Sequence, residues 1–307
     1  MDSNFDILGL GCVAVDDLFY VPSFPTPDSK VQIGRRERQC GGLTATALVA
    51  AARLGSRCAY AGTLGEDDLS QYVVDSLRRE DIDVTYVRRC PGARPIYSVV
   101  IVETSRQTRT ILYDLEGTLG AQEDWPPAEV IRSARILFVD HFGAEGMIRA
   151  AKIAREAGIP VVADFEVEDT PRFAELLELA GHLIVSCDFA EKLVGRAKPA
   201  VMAVKLCTPG RQAVVVTSGA EGCWFTGVGM QSTALYQPAF RVQAVDTTGC
   251  GDVFHGAYAS ALARGLDLRD RVRLAAAAAA LKATRHGGQA GCPTLAEVES
   301  FMGEPAS

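Results

Sequence analysis

The stretch Ala244–Gly265 reads AVDTTGCGDVFHGAYASALARG. From Asp246 to Asp252 it interleaves two acids with two threonines and two glycines, then runs on in small apolar residues. The run reads as a helix, and it puts Asp252 at the mouth of that helix, directly behind a glycine turn. Unpaired N–H groups and the helix dipole favour negative charge there. One reading is a helix with an acid in its first turn. The other is an anion site carrying its own base. A simple cap does not call for Asp246, Thr247 and Thr248 just ahead of it, so the second reading is preferred.

Gly249, Cys250 and Gly251 can turn their backbone N–H groups into one concavity, because glycine tolerates the required angles. Such a hollow at a helix N-terminus suits charge building on a transferring phosphoryl group. Asp252 beside it can take a proton from an attacking hydroxyl.

Outside this stretch, nearly continuous apolar runs alternate with helical patterns. FDILGLGCVAV (5–15), RILFVD, IPVVADF, HLIVS and AVVVTSG read as buried strands. GGLTATALVAAARLG reads as a helix opening at Gly41-Gly42, and AEGMIRAAKIAREAG and LRDRVRLAAAAAALKATR read as further helices. Thr294 and Glu297 have capping-box spacing ahead of a last short helix. This alternation predicts an α/β fold, a mainly parallel sheet with helices on both faces. Two β-rich pieces, about 17–38 and 93–115, interrupt it. The second resembles a hairpin around the polar turn SRQT. They are expected to pair as a small β-sheet lid on a single domain spanning 1–307.

The formal charge of −7, from 31 Lys+Arg and 38 Asp+Glu, comes without a basic block. Nucleic acid and anionic membrane are therefore not expected partners. Nine cysteines, odd in number and never spaced as CxxC, suit neither a disulfide framework nor zinc. MDSNFD lacks a signal-peptide pattern, and no apolar stretch is long enough to span a bilayer. A reduced cytoplasm is the expected location. GLGCVA (9–14) formally matches the GxGxxG/A dinucleotide pattern, but three prolines follow where a helix is required.

DTTGCGD resembles the DTxGAGD signature of the ribokinase-like (PfkB) carbohydrate kinases. Gly41-Gly42 is similar to that family's amino-terminal signature, Gly11-x4-Asp16 to its sugar-binding turn, and TSGAEG (217–222) to its nucleotide-side glycine turn. The four occur in the family's order, and the resemblance covers essentially the whole chain. It implies an ATP-dependent kinase that phosphorylates a primary hydroxyl of a small sugar or sugar derivative. Asp252 would be the general base, and Gly249, Cys250 and Gly251 the anion hole. Asp16, Gly41, Gly42 and Thr46 would lie on the sugar side, and Ser186, Thr217, Gly219 and Gly222 on the nucleotide side. Arg109 would reach the phosphates, its other reading being a lid-surface charge. Asp17 competes with Asp16 for the sugar role. The resemblance implies ATP with Mg²⁺, leaves open a monovalent cation such as K⁺, and assigns no metal ligand on the protein. Paired lids would make a homodimer.

Leu43 and Thr46 stand where many members carry Asn, and Ser186 and Phe189 stand at the ends of the usual NxxE motif. The Ser186 segment looks more like the ketohexokinase branch, and the carboxyl half also resembles sulfofructose kinase. Cys250 replaces an alanine, and a thiol at a helix N-terminus can have a lowered pKa. His141 is read either as facing the sugar pocket or as a structural residue, and His255 as packing. A nucleoside kinase of the same fold and a non-catalytic sugar or nucleotide sensor are the alternatives.

Overall fold

The computed structural model describes residues 4–106, 108–230 and 233–303. Its elements begin with β1 (Phe5–Gly9), β2 (Ala14–Val21), β3 (Arg35–Gly41), α1 (Leu43–Arg53), β4 (Cys58–Tyr60) and β5 (Thr63–Leu64). They continue with α2 (Asp68–Arg79), β6 (Arg88–Arg89), β7 (Ile96–Glu103), β8 (Thr108–Asp114), α3 (Ala128–Arg132), β9 (Ala134–Val139) and α4 (Ala144–Glu156). Next come β10 (Val161–Asp164), α5 (Phe173–Leu179), β11 (His182–Ser186), α6 (Cys187–Val194), α7 (Pro199–Leu206) and β12 (Ala213–Thr217). The last are β13 (Cys223–Gly227), β14 (Leu235–Gln237), α8 (Cys250–Ala263), α9 (Leu268–Ala283) and α10 (Leu295–Gly303).

The main sheet has the order β14-β13-β12-β11-β10-β9-β1-β4. Its strands from β4 to β12 are parallel, and β13 and β14 add an antiparallel edge. Strand side chains alternate between two cores. Ile7, Phe138, Val162, Ile184 and Val215 pack with α1, α8 and α9 on one face. Leu8, Leu137, Ala163, Val185, Val214 and Val216 pack with α4, α6 and α7 on the other. The α/β expectation holds. The Thr294–Glu297 capping box is formed: Thr294 N–H donates to Glu297 Oε2 at 2.7 Å, and Glu297 N–H donates to Thr294 Oγ1 at 3.4 Å.

The run 5–15 is not one strand, contrary to its continuous hydrophobicity. β1 ends at Gly9 and the chain turns through 10–13 into β2, which belongs to a separate four-stranded sheet of order β3-β2-β7-β8. The cause lies far along the chain. Asp140, at the end of β9, accepts a hydrogen bond from Cys12 N–H at 2.7 Å, and a Cβ on Gly11 would fall 1.9 Å from the same carboxylate. The backbone therefore wraps around Asp140 and leaves the core sheet.

The lid strands thus run 14–21 and 35–41, beyond the expected 17–38. The second piece gives the antiparallel pair β7–β8, whose connection passes through residue 107, outside the described residues. β2 pairs in parallel with β7, which joins the two pieces. The GxGxxG/A match leads into β2 and not into a helix. VTYVRRC contributes only the two-residue β6, and α7, announced by Pro199 in its first turn, went unread.

Candidate active site

The hollow forms where α8 begins. Gly249 caps the helix at φ 75°, a conformation that favours glycine, and a Cβ there would meet Gly288 at 3.2 Å and Thr46 at 3.4 Å. Among the first-turn N–H groups of α8, that of Cys250 turns back to Thr247 O at 3.3 Å, whereas those of Gly251 and Asp252 precede the first intrahelical bond, from Val253 N–H to Gly249 O at 2.9 Å. The loop ahead is tied down through Asp246. Its Oδ1 accepts from Thr248 N–H and its Oδ2 from Gly287 N–H, both at 2.9 Å. Burial pushes the Asp246 carboxyl up, but these bonds and the Lys282 ammonium outweigh it and hold the group below its ordinary value.

Asp252 lies half-buried in the first turn of α8. Its proton affinity is raised well above the ordinary carboxylate value, first by burial and then by Asp164, Glu166, Asp140 and Asp16. A general base works best when its pKa approaches the working pH, so this crowding of acids suits proton abstraction. Beneath it, His255 faces the carbonyls of Gly251 at 2.8 Å and Ile184 at 3.0 Å, and burial lowers its pKa. It ties α8 to the sheet, and its Nδ1 lies 3.3 Å from Asp164 Oδ2. The Cys250 thiol does not follow its expectation: burial raises its pKa, and Asp246 and Asp252 add to the rise. The helix terminus does not offset that desolvation.

The lid supplies one wall. Strand alternation sends Asp16 and its neighbour to opposite faces. Asp17 takes two bonds from Arg38, at 2.7 and 2.8 Å, and one from Tyr97 Oη at 3.0 Å. Those partners hold it below the ordinary carboxylate range. Asp16 instead lies over Gly41, where a Cβ would fall 2.4 Å from its Oδ2, and its charge acts on Asp252. Burial raises its pKa, opposed by Ser98. Asp16 is therefore the acid whose charge reaches Asp252, and Asp17 is held within the lid by Arg38 and Tyr97.

Gly42 caps α1 at φ 94°, and any Cβ would strike Val13 Cα at 2.6 Å. Thr46 is buried one turn on and accepts from Gln289 Nε2 at 3.5 Å. Arg109 reaches from β8 to hydrogen-bond Thr248 Oγ1 and approaches Asp246 Oδ1 at 3.8 Å. It bridges lid and hollow while its side chain stays exposed.

On the other side, Ser186 and Thr217 are register partners at the carboxyl ends of β11 and β12. Gly219 and Gly222, at φ 53° and 100°, form the turn into β13. Asp140, Asp164, Ser186 and Thr217 thus follow or end successive parallel strands along one edge, where ligands of open α/β sheets bind. The shared edge relates the nucleotide-side residues to the start of α8.

Several residues at this edge went unread in the sequence. Asp140 and Asp164 each close a hydrophobic strand, and an acid at such a strand end was a usable signal. Gln289 and Lys282 gave none. The donors fit a magnesium ion carried on nucleotide phosphates. Asp164 Oδ2 is buried without a hydrogen-bond partner, and Glu166 is exposed nearby. Mg²⁺ needs only one or two carboxylates beside water and phosphate oxygens. Among the described residues no cluster of three or more His, Cys, Asp or Glu could hold a metal by itself.

The pfkB family carbohydrate kinase profile matches residues 8–295. The ribokinase of Haemophilus influenzae is 27% identical over 303 residues, covering 95% of this chain and 97% of that protein. A crystal structure of a ribokinase candidate from Agrobacterium tumefaciens superposes with a TM-score of 0.89 at 31% identity, covering 96% of both chains. Arabidopsis thaliana ribokinase complexed with ribose and ATP shares the fold, with a TM-score of 0.85 at 23% identity over 99% of this chain and 100% of that one. Other relatives bear the names deoxyribokinase and fructokinase, so the assignment rests at the level of the family and not on a ketohexokinase branch. A signature hollow, a four-stranded lid and a family match spanning almost the whole chain agree: this protein belongs to the pfkB carbohydrate kinases and is an ATP-dependent enzyme of ribokinase-like fold.

Proposed function

We propose that the enzyme transfers the γ-phosphoryl group of ATP to a primary hydroxyl of a small sugar, with Asp252 as general base. The observation that carries this is Asp252 itself, half-buried at the first turn of α8, its proton affinity raised by burial and four acids, with Arg109 of the lid bonded to Thr248 in the loop ahead of it. The sugar hydroxyl gives its proton to the Asp252 carboxylate while its oxygen attacks the γ-phosphorus. The bond from that phosphorus to the β–γ bridging oxygen breaks, and ADP leaves. The backbone N–H groups of the Gly249–Cys250–Gly251 turn, with Arg109, stabilise charge on the equatorial oxygens. Magnesium on the ATP phosphates would offset their charge.

Asp16 and the backbone at Gly41 and Gly42 hold sugar hydroxyls, and Thr217, Gly219, Gly222 and Ser186 line the nucleotide. Leu43 offers no side-chain hydrogen bond, so the acceptor presents one hydroxyl fewer for recognition there. The names of the relatives favour pentoses and fructose. The ketohexokinase-like features rest on Ser186 and Arg109.

The lid edge strand β8 exposes Ile111 (48%), Leu112 (55%) and Tyr113 (67%). Exposed apolar edges pair readily, and this one supports a homodimer through the lid. The nine unpaired cysteines support a reduced cytoplasmic location. Among the described residues no helix is long and apolar enough to cross a membrane.

ADP release from Mg·ATP over a panel of pentoses, ketohexoses, sugar acids and nucleosides tests the reading. One sugar class should turn over, and Asp252→Asn should lower kcat by about 10²–10⁴-fold. Turnover of nucleosides alone, or an Asp252→Asn variant as fast as wild type, refutes it.

A further inference from the structure

Lys282, in the last turn of α9, has no side-chain exposure to solvent. Its Nζ donates to the backbone oxygen of Asp246 at 2.7 Å and lies 3.8 Å from the Oδ2 of the same residue. The stem passes close to Gly291, where a Cβ would sit 3.1 Å from Lys282 Cε, so glycine leaves the room the side chain needs. The charge also acts on Cys250, inside the hollow.

A buried ammonium is costly unless oxygens surround it, and a chain retains one where it does something an apolar residue would not. An ammonium among a carbonyl and a carboxylate oxygen has the ligand chemistry of a bound alkali ion. The oxygens of Asp246 that face inward, the ones a monovalent cation would use beside the hollow, are taken. A second cation placed there would be repelled by the first, at a few ångströms and out of water. This oxygen cluster therefore does not fit K⁺.

We propose that Lys282 is a tethered monovalent cation: a positioning residue that fixes the Asp246–Gly251 loop ahead of α8 and frees the kinase from any alkali-ion activator. The inference rests on the assignment of the hollow and Asp252 to phosphoryl transfer. Asp246 relays the effect. One carboxylate holds Thr248 and Gly287 N–H groups, meets Arg109 from the lid and faces the ammonium from α9. Removing the ammonium leaves two anionic or polar oxygens unbalanced in the interior, and the loop carrying Gly249 relaxes.

The test measures ADP release by wild type, Lys282→Met, Lys282→Ala and Asp252→Asn. KCl, NH₄Cl or tetramethylammonium chloride is varied at constant ionic strength. Wild type should run equally fast in all three salts. Lys282→Ala should lose about 10²-fold in kcat, the scale of a lost oxyanion donor, with little change in sugar KM. Ammonium or potassium, but not the bulky tetramethylammonium, should restore part of that loss. Lys282→Met fills the space without charge and should resist rescue. Activation of the wild type several-fold by K⁺ overturns the proposal, as does a Lys282→Met enzyme with undiminished kcat. Should both lysine variants fail to fold, the salt response of the wild type still decides. Asp252→Asn separates the two layers: if it remains active the base assignment fails, whatever the salts do.

Discussion

Gly256→Ala places one methyl group where α8 crosses α1. A Cβ at Gly256 would fall 2.0 Å from the carbonyl oxygen of Ala47 and 2.8 Å from its carbonyl carbon. Both are backbone atoms and cannot swing aside. Restoring even 3.0 Å requires the helices to part by about 1 Å. Overpacking of this kind costs about 3 kcal/mol at the upper end of its usual range. Alanine returns about 1 kcal/mol through its better helix propensity. At about 2.1 cal/mol/K of unfolding entropy per residue, the net loss of about 2 kcal/mol corresponds to a fall in Tm of roughly 3 °C for this 307-residue chain. The active-site consequence follows from what the two helices carry. α1 opens at Gly42 and α8 opens at the hollow and Asp252. A displacement of about 1 Å between reacting groups can cost on the order of 10²-fold in rate. Differential scanning fluorimetry and steady-state kinetics on the same preparations check both numbers. A higher Tm for Gly256→Ala, the outcome of helix propensity acting alone, refutes the close-crossing argument.

Asp252 must be ionised to accept a proton, and its pKa is raised. The acid limb of kcat/KM should therefore lie above the ordinary carboxylate value of about 4, and Asp164→Asn, which removes a charged neighbour, should move the limb to lower pH. The same shift predicts opposite effects on stability: ionised Asp252 costs folding energy as pH rises past its unfolded pKa, so Asp252→Asn should raise Tm at neutral pH, the gain shrinking at acid pH. Arg109→Gln should lower kcat by about 10-fold or more through the lost charge at the transferring group, and fluorimetry should find Tm nearly unchanged because the bridge is exposed. Asp16→Asn should raise sugar KM or lower kcat, whereas Asp17→Asn should leave kinetics close to wild type and reduce thermal stability; the reverse pattern would mean the two acids have been assigned to the wrong faces.

How far the sequence could be read depended on the reach of each interaction. The hollow was legible because its chemistry is local: Gly249, Gly251 and Asp252 are neighbours, and glycine and acid each have a separate reason to be there. The capping box at Thr294 and Glu297 was legible for the same reason. The end of β1 was not, since the turn at Gly11 is imposed by Asp140, 128 positions away from Cys12. A run of apolar residues says nothing of a carboxylate arriving from a distant strand. The choice between Asp16 and Asp17 needed the lid register, which pairs Asp16 with Ser98 and leaves Asp17 to Arg38. Lys282 ends an alanine-rich helix like any solvated lysine. Only the packing of α9 against the Asp246 loop makes it interior.

The parallel pairing of β2 with β7 also bears on how the chain is made. Asp16 meets Ser98, so β2 waits for its partner while 82 further residues are synthesised. At the usual 5–20 residues per second that delay lasts roughly 4–16 s. During it, β2 and β3 can form no more than an isolated hairpin, which is marginal in water. The wrap of Cys12 around Asp140 comes later still. The amino-terminal lid hairpin thus leaves the ribosome directly after β1 yet is secured only once β7 and then Asp140 have been made, and its open edge is where a nascent-chain chaperone has most to protect.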